Sequence, residues 1–583
     1  MNVEVKRHSL AHILAQAVKE LYPEVKLGTG PAIENGFYYD IDFGETVLHE
    51  DELKVIEKKM KNIIKQNQTF NQFSLEIHEA IELLKEEKEN YKLAIINKLK
   101  EEGEIEISFY ENINQKRERV FLDMCSGPHV EKMSEIDVNS FKLDKIAGAY
   151  FQGDSENKML TRIYGLAFDS QEELNNHLVF LREAKKRDHR LIGKKLNLFS
   201  FHDEGPGFPF WHPKGSIMFN ELVKFMQSEN KARGYDEIKT PPVLNEELWH
   251  MSGHWANFKE NMYFTEIDDQ KFAIKPMNCP GGCLVFKTQQ FSYRDLPIKN
   301  AEFGLVHRHE LSGVLHGLFR VRSFTQDDAH IFIDNEGLPK QIEDTIKFVE
   351  DIYKVFGFEK INTFVATRPE KSLGSDEVWE IAQKSLEDGL KAAGLDDFKI
   401  KEGEGAFYGP KIEFNVEDSL GRNWQLGTIQ VDFSMPERFG LFYTGKDGEK
   451  HTPVMIHRAI FGSLERFMGI LIEHFNGSFP LWIAPEQVRI VPVMEKANSY
   501  AEKVKKELEE AGIRVEADLS DDGLNKKVRN AEKQRVNYIL VVGEEEMANS
   551  TVSVRNYKTK DQSSNSIEEF KNNILEEVES RKI

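Results

Sequence analysis

Two histidines one helical turn apart, His8 and His12, stand near the start of the chain. If that segment is helical they share a face, and two imidazoles converge. Much further on, DMCSGPHV carries Cys125 and His129 at the same interval, with Asp123 just before them. Either pair alone also reads as a surface or core pair. Together they match the ligand count of a zinc site. They equally suit a polar pocket that orients a water, and spacing does not choose between the two. A second constellation is Cys279 in KPMNCPGG, His330 in TQDDAHIF and His457 in VMIHRAI. One thiolate and two imidazoles would leave a fourth zinc position for water or substrate. Against that, a histidine in a strand-like segment is more often a satisfied structural residue, and Cys283 offers a rival CxxxC pairing with Cys279. The third constellation is Arg308, Arg320 and Arg466, whose planar forks suit phosphate oxygens, although most arginines form surface ion pairs. No GxxxxGK[ST] segment accompanies them, so any nucleotide site must rest on something other than a P-loop.

These residues need elements to hold them. Leu10, Ile13, Leu14, Ala17, Val18 and Leu21 recur at helical spacing and predict a helix over Val5 to Tyr22. LGTGPAIENGFYYDIDF then predicts a loop followed by a strand. Further helices are expected over Asp51 to Gln66 and Ser74 to Leu99. A solvated connecting helix is expected over Gln171 to Lys195, where the charges KKRDHR cluster. From about Leu196 to Pro480 the aromatic and glycine-rich segments predict mainly antiparallel sheet with flanking helices. Beyond WIAPEQ the order is strand VRIVPV, helix Ala497 to Ala511, strand IRVEADL, helix Leu524 to Gln534 and strand YILVVG, which predicts a small α/β domain with a partly parallel sheet.

Length and composition bound the rest. A chain of 583 residues is too long for one core, and three or four domains are expected. With 40% hydrophobic and 30% charged residues, it should fold throughout. No run of about 18 apolar residues and no signal-like start is found, so a cytoplasmic chain without membrane spans is expected. Three cysteines exclude a disulfide framework. The net charge of -21 excludes a protein that coats nucleic acid non-specifically and confines any such contact to local basic patches.

The motifs together resemble the threonyl-tRNA synthetase family. GYDEIKTPPV, with Pro241 at the interface proline, resembles class II motif 1; HRHELSGVLHGLFRVRSFTQDDAHIF resembles motif 2, and HRAIFGSLERF motif 3. KPMNCPGG, FTQDDAHIF, GEGAFYGPKIEF, GTIQVDFS and PVMIHRAI are similar to the threonyl member specifically. The resemblance implies an α+β multidomain chain. Its parts would be an N-terminal α/β editing domain (1–170), a linker helix (171–195), a class II antiparallel-sheet catalytic domain (196–480) and a C-terminal α/β anticodon-binding domain (485–583). It implies one Zn²⁺ on Cys279, His330 and His457, open to the amino group and hydroxyl of L-threonine, and Mg²⁺ with ATP. Gln326, Asp328, Tyr408 and Gln430 would then bind threonine, and Arg308, Glu310, Arg320, Phe324, Gln425 and Arg466 would bind ATP. Glu546 and Arg555 match positions that read anticodon bases. His8, His12, Lys92, Asp123, Cys125 and His129 match a hydrolytic editing site that works without metal, which sets aside the zinc option for that cluster. tRNA(Thr) is the implied partner, and motif 1 implies a homodimer.

The sequence departs from the family pattern in places. Seven residues precede His8, so the small domain that often comes before the editing domain is expected to be absent. Motif 2 has His309 and Leu311 where the family commonly has Asn and Pro, and Gly282 stands where a histidine is common. Two other classes of function stay open at this level. A non-catalytic paralogue would lose zinc ligands or ATP arginines, and none is lost. A metallohydrolase would use the His8, His12, Cys125 and His129 cluster.

Overall fold

The computed structural model describes residues 2–154 and 156–583, and the chain divides into two compact units, Met1–Glu183 and Ala184–Ile583. In the first unit the helix Val3–Leu21 is capped by Asn2, whose side chain accepts from the Glu4 N–H. Leu10, Ile13, Leu14, Ala17 and Val18 are fully buried. The helix packs against the helix Leu53–Lys65 and a five-stranded antiparallel sheet. In that sheet Gly36–Asp42 pairs with Met159–Ala167, which pairs with Phe141–Tyr150. A second, three-stranded sheet joins Thr69–Glu76, Glu106–Ile113 and Arg119–Met124. This corrects the single helix expected over Ser74 to Leu99. Phe73 and Leu75 continue the period of a strand and pack on an apolar cluster, so the helix starts only at Ile77. It ends at Glu86, Lys88 turns the chain at φ 57°, and a separate helix runs over Asn90–Glu101.

The expected connecting helix is also two helices, Gln171–Arg187 and His189–Leu196. Asp188 caps the second by accepting from the Arg190 N–H. The KKRDHR cluster is not simply solvated, because His189 within it is fully buried.

The second unit is built on an eight-stranded sheet in the order Asp236–Glu237, Ile298–His307, Ser323–Ile333, Val454–Ser463, Asn423–Asp432, Lys411–Glu417, Ile361–Ala366, Phe398–Lys401. All neighbours are antiparallel except the outermost pair at each edge. The helices Leu338–Val355, Asp376–Ala392 and Leu464–His474 cover one face and share its core. Beyond the sheet, Val488–Pro492 is parallel to both Val515–Ala517 and Tyr538–Val542, and Thr551–Asn556 and Gln562–Ser566 add antiparallel strands. The expected partly parallel C-terminal sheet is therefore present.

One irregularity shapes the large sheet. Gln326 pairs with Ser463 but Asp328 pairs with Ala459, so Ile460, Phe461 and Gly462 bulge out opposite Asp327. The Asp327 carboxylate accepts the N–H groups of Ile460 at 2.9 Å, Phe461 at 3.0 Å and Gly462 at 2.9 Å. It also faces the buried Arg458 at 3.6 Å. Gly462 supplies the positive φ of 74° at which the bulge closes. Ser463 then caps the helix that carries Arg466. Asp327→Ala would orphan these amides and the Arg458 charge together, and is expected to cost about 3–5 kcal/mol. Denaturant unfolding of the catalytic unit measures it; an alanine variant as stable as the parent contradicts the role given to the carboxylate.

Candidate active sites

On the strand Ser323–Ile333, Phe324, Gln326, Asp328 and His330 alternate onto one face. Pairing sets His330 directly opposite His457, and His457 opposite Gln430. Cys279 is the first residue of the helix Cys279–Lys287. One ligand atom from each of Cys279, His330 and His457 lies within 4.8 Å of the others, and all three residues are buried. Cys283 is outside this group, with its sulfur 3.8 Å from that of Met455. The His330 Nε2 has no hydrogen-bond partner among the described residues. One ring nitrogen of His457 sits 3.1 Å from the Asp432 carboxylate, an arrangement that fixes an imidazole for metal binding.

Around this cluster Tyr408 stacks on His457 with ring centroids 4.9 Å apart and donates to Gln430 at 2.6 Å. The Asn278 amide donates to Asp328 at 3.1 Å. It lies across Gly304, where any Cβ would meet it at 2.0 Å. Burial pushes the Asp328 carboxyl up to about 6. Gly282 also borders the cluster, since a Cβ there would sit 3.1 Å from the His330 ring.

A cleft of about 330 Å³ opens beside it, lined by Arg308, Glu310, Arg320, Phe324, Gln326, Gln425 and Arg466. Every residue expected at ATP is there. The Arg308 guanidinium lies 5.1 Å from the Phe324 ring centroid, and Arg320 pairs with Glu310 at 3.0 Å. Arg466 keeps a buried Nε with no partner among the described residues, and both burial and the neighbouring Arg320 charge lower its pKa. Three guanidiniums lining one cleft, one of them with an unused donor, suit a polyanion. Gln425 reaches this face through a bulge, because Phe414 pairs with Gly427 but Asn415 with Gln425. Of the motif-2 departures, His309 packs edge-on against Tyr263 and Leu311 is 70% exposed.

In the first unit a cavity of about 270 Å³ is lined by His8, His12, Tyr39, Lys92, Asp123 and Cys125. The Cys125 sulfur lies 3.2 Å from His8 Nε2 and 3.3 Å from His129 Nε2. His8, Cys125 and His129 form a group with metal-ligand spacing that does not include His12. The expected four-residue cluster is thus three residues plus a buried neighbour. His12 packs edge-on against Phe121, and neither of its ring nitrogens has a hydrogen-bond partner among the described residues. Lys92 pairs with Asp123 at 2.8 Å, and Tyr39 donates to the same carboxylate at 2.5 Å. Burial raises the Cys125 thiol to about 11, which leaves it a poor nucleophile near neutrality.

Glu546 accepts the N–H of Gly543, the residue that caps its helix Glu544–Asn549, at 2.8 Å, and Arg555 donates to Glu532 at 2.9 Å. Both are partly exposed, and no contact joins them.

Family models agree with this layout. Residues 263–475 match the tRNA synthetase class II core domain (G, H, P, S and T), residues 487–577 the anticodon binding domain, and residues 107–164 the threonyl and alanyl tRNA synthetase second additional domain. The chain is 54% identical over 575 residues to the threonine–tRNA ligase of Acetivibrio thermocellus, covering 99% of this chain and 88% of that protein. The chain belongs to the threonine–tRNA ligase family. The Clostridium tetani threonine–tRNA ligase is 52% identical over the same length. Among solved structures, the RNA binding domain of threonyl-tRNA synthetase from Cryptosporidium parvum Iowa II superposes with a TM-score of 0.65 at 40% identity, covering 67% of this chain and 98% of that one. Within a threonine–tRNA ligase fold, sequence reasoning missed Asn278, Asp432 and Tyr39. Asn278 had a signal, since it sits beside Cys279 in MNCPGG. The other two are brought in only by distant pairing.

The histidines of the N-terminal cavity carry a pH signature. Burial pushes His12 down to about 3 and His129 down to about 2, from 6.5 for a free ring. Between these values the unfolded chain binds more protons than the folded one. The rings' contribution to stability is therefore complete above about pH 6.5 and is lost as pH falls. Thermal unfolding of the N-terminal unit should move to lower temperature between about pH 7.5 and pH 5, and His12→Leu should flatten part of that slope. An unchanged slope in the variant contradicts the burial of a neutral ring.

Proposed function

We propose that the two units act on the same ester in opposite directions, the catalytic unit making it and the N-terminal unit removing wrong copies. As a threonine–tRNA ligase, the chain activates L-threonine with ATP and transfers it to tRNA, and its second additional domain edits mischarged tRNA. The assignment of residues to these steps is our reading. The observation that carries it is the continuous sheet face on which the Cys279–His330–His457 cluster lies beside the arginine-lined cleft.

The donor set fits Zn²⁺, with one sulfur and two imidazoles buried together, a His330 Nε2 without a partner among the described residues, and Asp432 steadying His457. When bound, the metal would supply a Lewis-acid contact that reads the amino and hydroxyl groups of threonine. Asp328 holds the ammonium, steadied by Asn278, and the Tyr408–Gln430 pair closes the side-chain pocket. Phe324 offers a stacking face for adenine and Glu310 a polar contact to it. Arg308, Arg320 and Arg466 balance phosphate charge alongside Mg²⁺, with Gln425 at the rim. Adenylate formation then needs in-line positioning and charge stabilisation, with no protein nucleophile.

A hydroxyl-reading site rejects valine by leaving a contact unmade. Serine keeps the hydroxyl and lacks only a methyl, worth about 1–3 kcal/mol of discrimination. That shortfall is the physical reason for a second, hydrolytic site. There neutral His8 and His12 border the cavity in which a water would attack the seryl ester, and Lys92 neutralises Asp123 at its wall. We further propose domain boundaries near 170, 195 and 480, a cytoplasmic homodimer formed through motif 1 with the exposed Pro241, and anticodon contacts from Glu546 and Arg555. No helix among the described residues is long and apolar enough to cross a membrane.

A crossed pair of variants tests the division. His330→Ala is expected to abolish threonine-dependent ATP–pyrophosphate exchange and to leave hydrolysis of preformed seryl-tRNA unchanged. The double change His8→Ala with His12→Ala should do the reverse. Undiminished hydrolysis in the double variant refutes the editing assignment, and hydrolysis that disappears on chelation and returns with zinc favours a metallohydrolase at that cluster.

A further inference from the structure

The cluster of Asp188, His189 and Glu473 has the spacing of a metal site, but its atoms are engaged within the protein. Asp188 is held by Arg190, and Glu473 pairs with Arg422 at 2.6 Å. The His189 ring connects two other parts of the fold. Its Nε2 accepts the Leu318 N–H at 3.0 Å, so the ring proton sits on Nδ1, where it donates to Glu473 at 2.7 Å. Leu318 lies between Gly317, whose Cβ would fall 2.2 Å from that same Nε2, and Phe319, whose ring centroid lies 4.1 Å from that of His189. Phe319 lines the arginine cleft and packs on Trp424, the neighbour of Gln425, with centroids 4.4 Å apart. Glu473 stands on the helix Leu464–His474, which carries Arg466 in its first turn.

We propose that His189, on the short helix His189–Leu196, is a positioning residue for ATP that clamps the loop bearing Phe319 and Arg320 to the helix bearing Arg466. One imidazole spans both partners because it accepts on one nitrogen and donates from the other. A loop released from the ring would let Arg320 drift from Arg466 and open the wall formed by Phe319 packed against Trp424. The threonine pocket has no contact with this ring, so its residues stay in place. The proposal rests on reading the arginine cleft as the ATP site.

Two amide replacements separate the ring's two bonds. Asparagine places its amide nitrogen near Nδ1 and keeps the bond to Glu473 but cannot reach Leu318. Glutamine places its oxygen near Nε2 and keeps the acceptor for Leu318, while the backbone N–H of position 189, which donates to Glu473 at 2.9 Å, still holds the helix side of the clamp. In ATP–pyrophosphate exchange on the full chain, His189→Asn is expected to raise the KM for ATP about tenfold by orphaning a buried amide. The KM for threonine should stay near the parent value, and His189→Gln should restore the KM for ATP. Equal behaviour of the two variants, or a joint shift of both KM values, overturns the proposal. Arg320→Ala is the control for the cleft. If it leaves the KM for ATP untouched the ATP reading itself fails, whereas a normal Arg320 effect with a silent His189→Asn defeats only the clamp. Should neither amide variant fold, Gly317→Ala pushes the loop off the ring from the other side, and an unchanged KM for ATP in that variant overturns the clamp as well.

Discussion

Along the strand Ser323–Ile333, each even-numbered residue from Phe324 to His330 faces the sites and each odd-numbered one faces the core, and the hydrogen-bonded register to both neighbours holds that choice. A slip of one residue would turn Asp328 and His330 into the core and bring Asp327 and Ile331 to the surface of the cleft. The burial of Ala329, Ile331 and Ile333 in the main core forbids the slip. The register is therefore the constraint from which the site's geometry follows. It sets His330 against His457, and it leaves Asp327 beneath the bulge that leads to Arg466.

The two units solve different electrostatic problems. The catalytic unit assembles cationic groups with unspent donors around a cleft, which suits a triphosphate and would be unfavourable without an anion. The cavity of the N-terminal unit keeps its ring nitrogens neutral by burial, and the one carboxylate among its described lining residues, Asp123, is compensated by Lys92 and Tyr39. A cavity with so little free charge suits a water attacking an ester better than it suits phosphate. The bulges in the large sheet connect local strain to chemistry, since both occur where a side chain must be re-aimed toward the cleft: at Gln425 on one strand and ahead of Arg466 on the other.

Much of this could be read in the sequence where chemistry and period coincide. The helical pairing of His8 with His12, the antiparallel catalytic sheet and the partly parallel C-terminal sheet all follow from local spacing. The segment from Ser74 to Leu99 did not yield, because Phe73 and Leu75 belong to a strand while the helical pattern beyond them blends across the turn at Lys88. The connecting region misled for a different reason. A run of charges predicts solvent, yet His189 inside it is buried by partners more than a hundred residues away. Alternation says which residues of a strand share a face, but not which strand lies opposite, so Asp432 beneath His457 and Tyr39 beside Asp123 were out of reach. The site roles came from resemblance to a family, and the geometry supplied their mutual placement.

The central claim is that the Cys279–His330–His457 cluster holds a zinc that reads the hydroxyl of threonine. Zinc X-ray absorption of the full chain, recorded alone, with threonine and with valine, tests it most directly. The account predicts a first shell of one sulfur and two imidazole nitrogens, a spectrum that changes with threonine and not with valine, and loss of the metal in Cys279→Ala. A shell without sulfur, or a zinc signal that survives Cys279→Ala and ignores threonine, would contradict it.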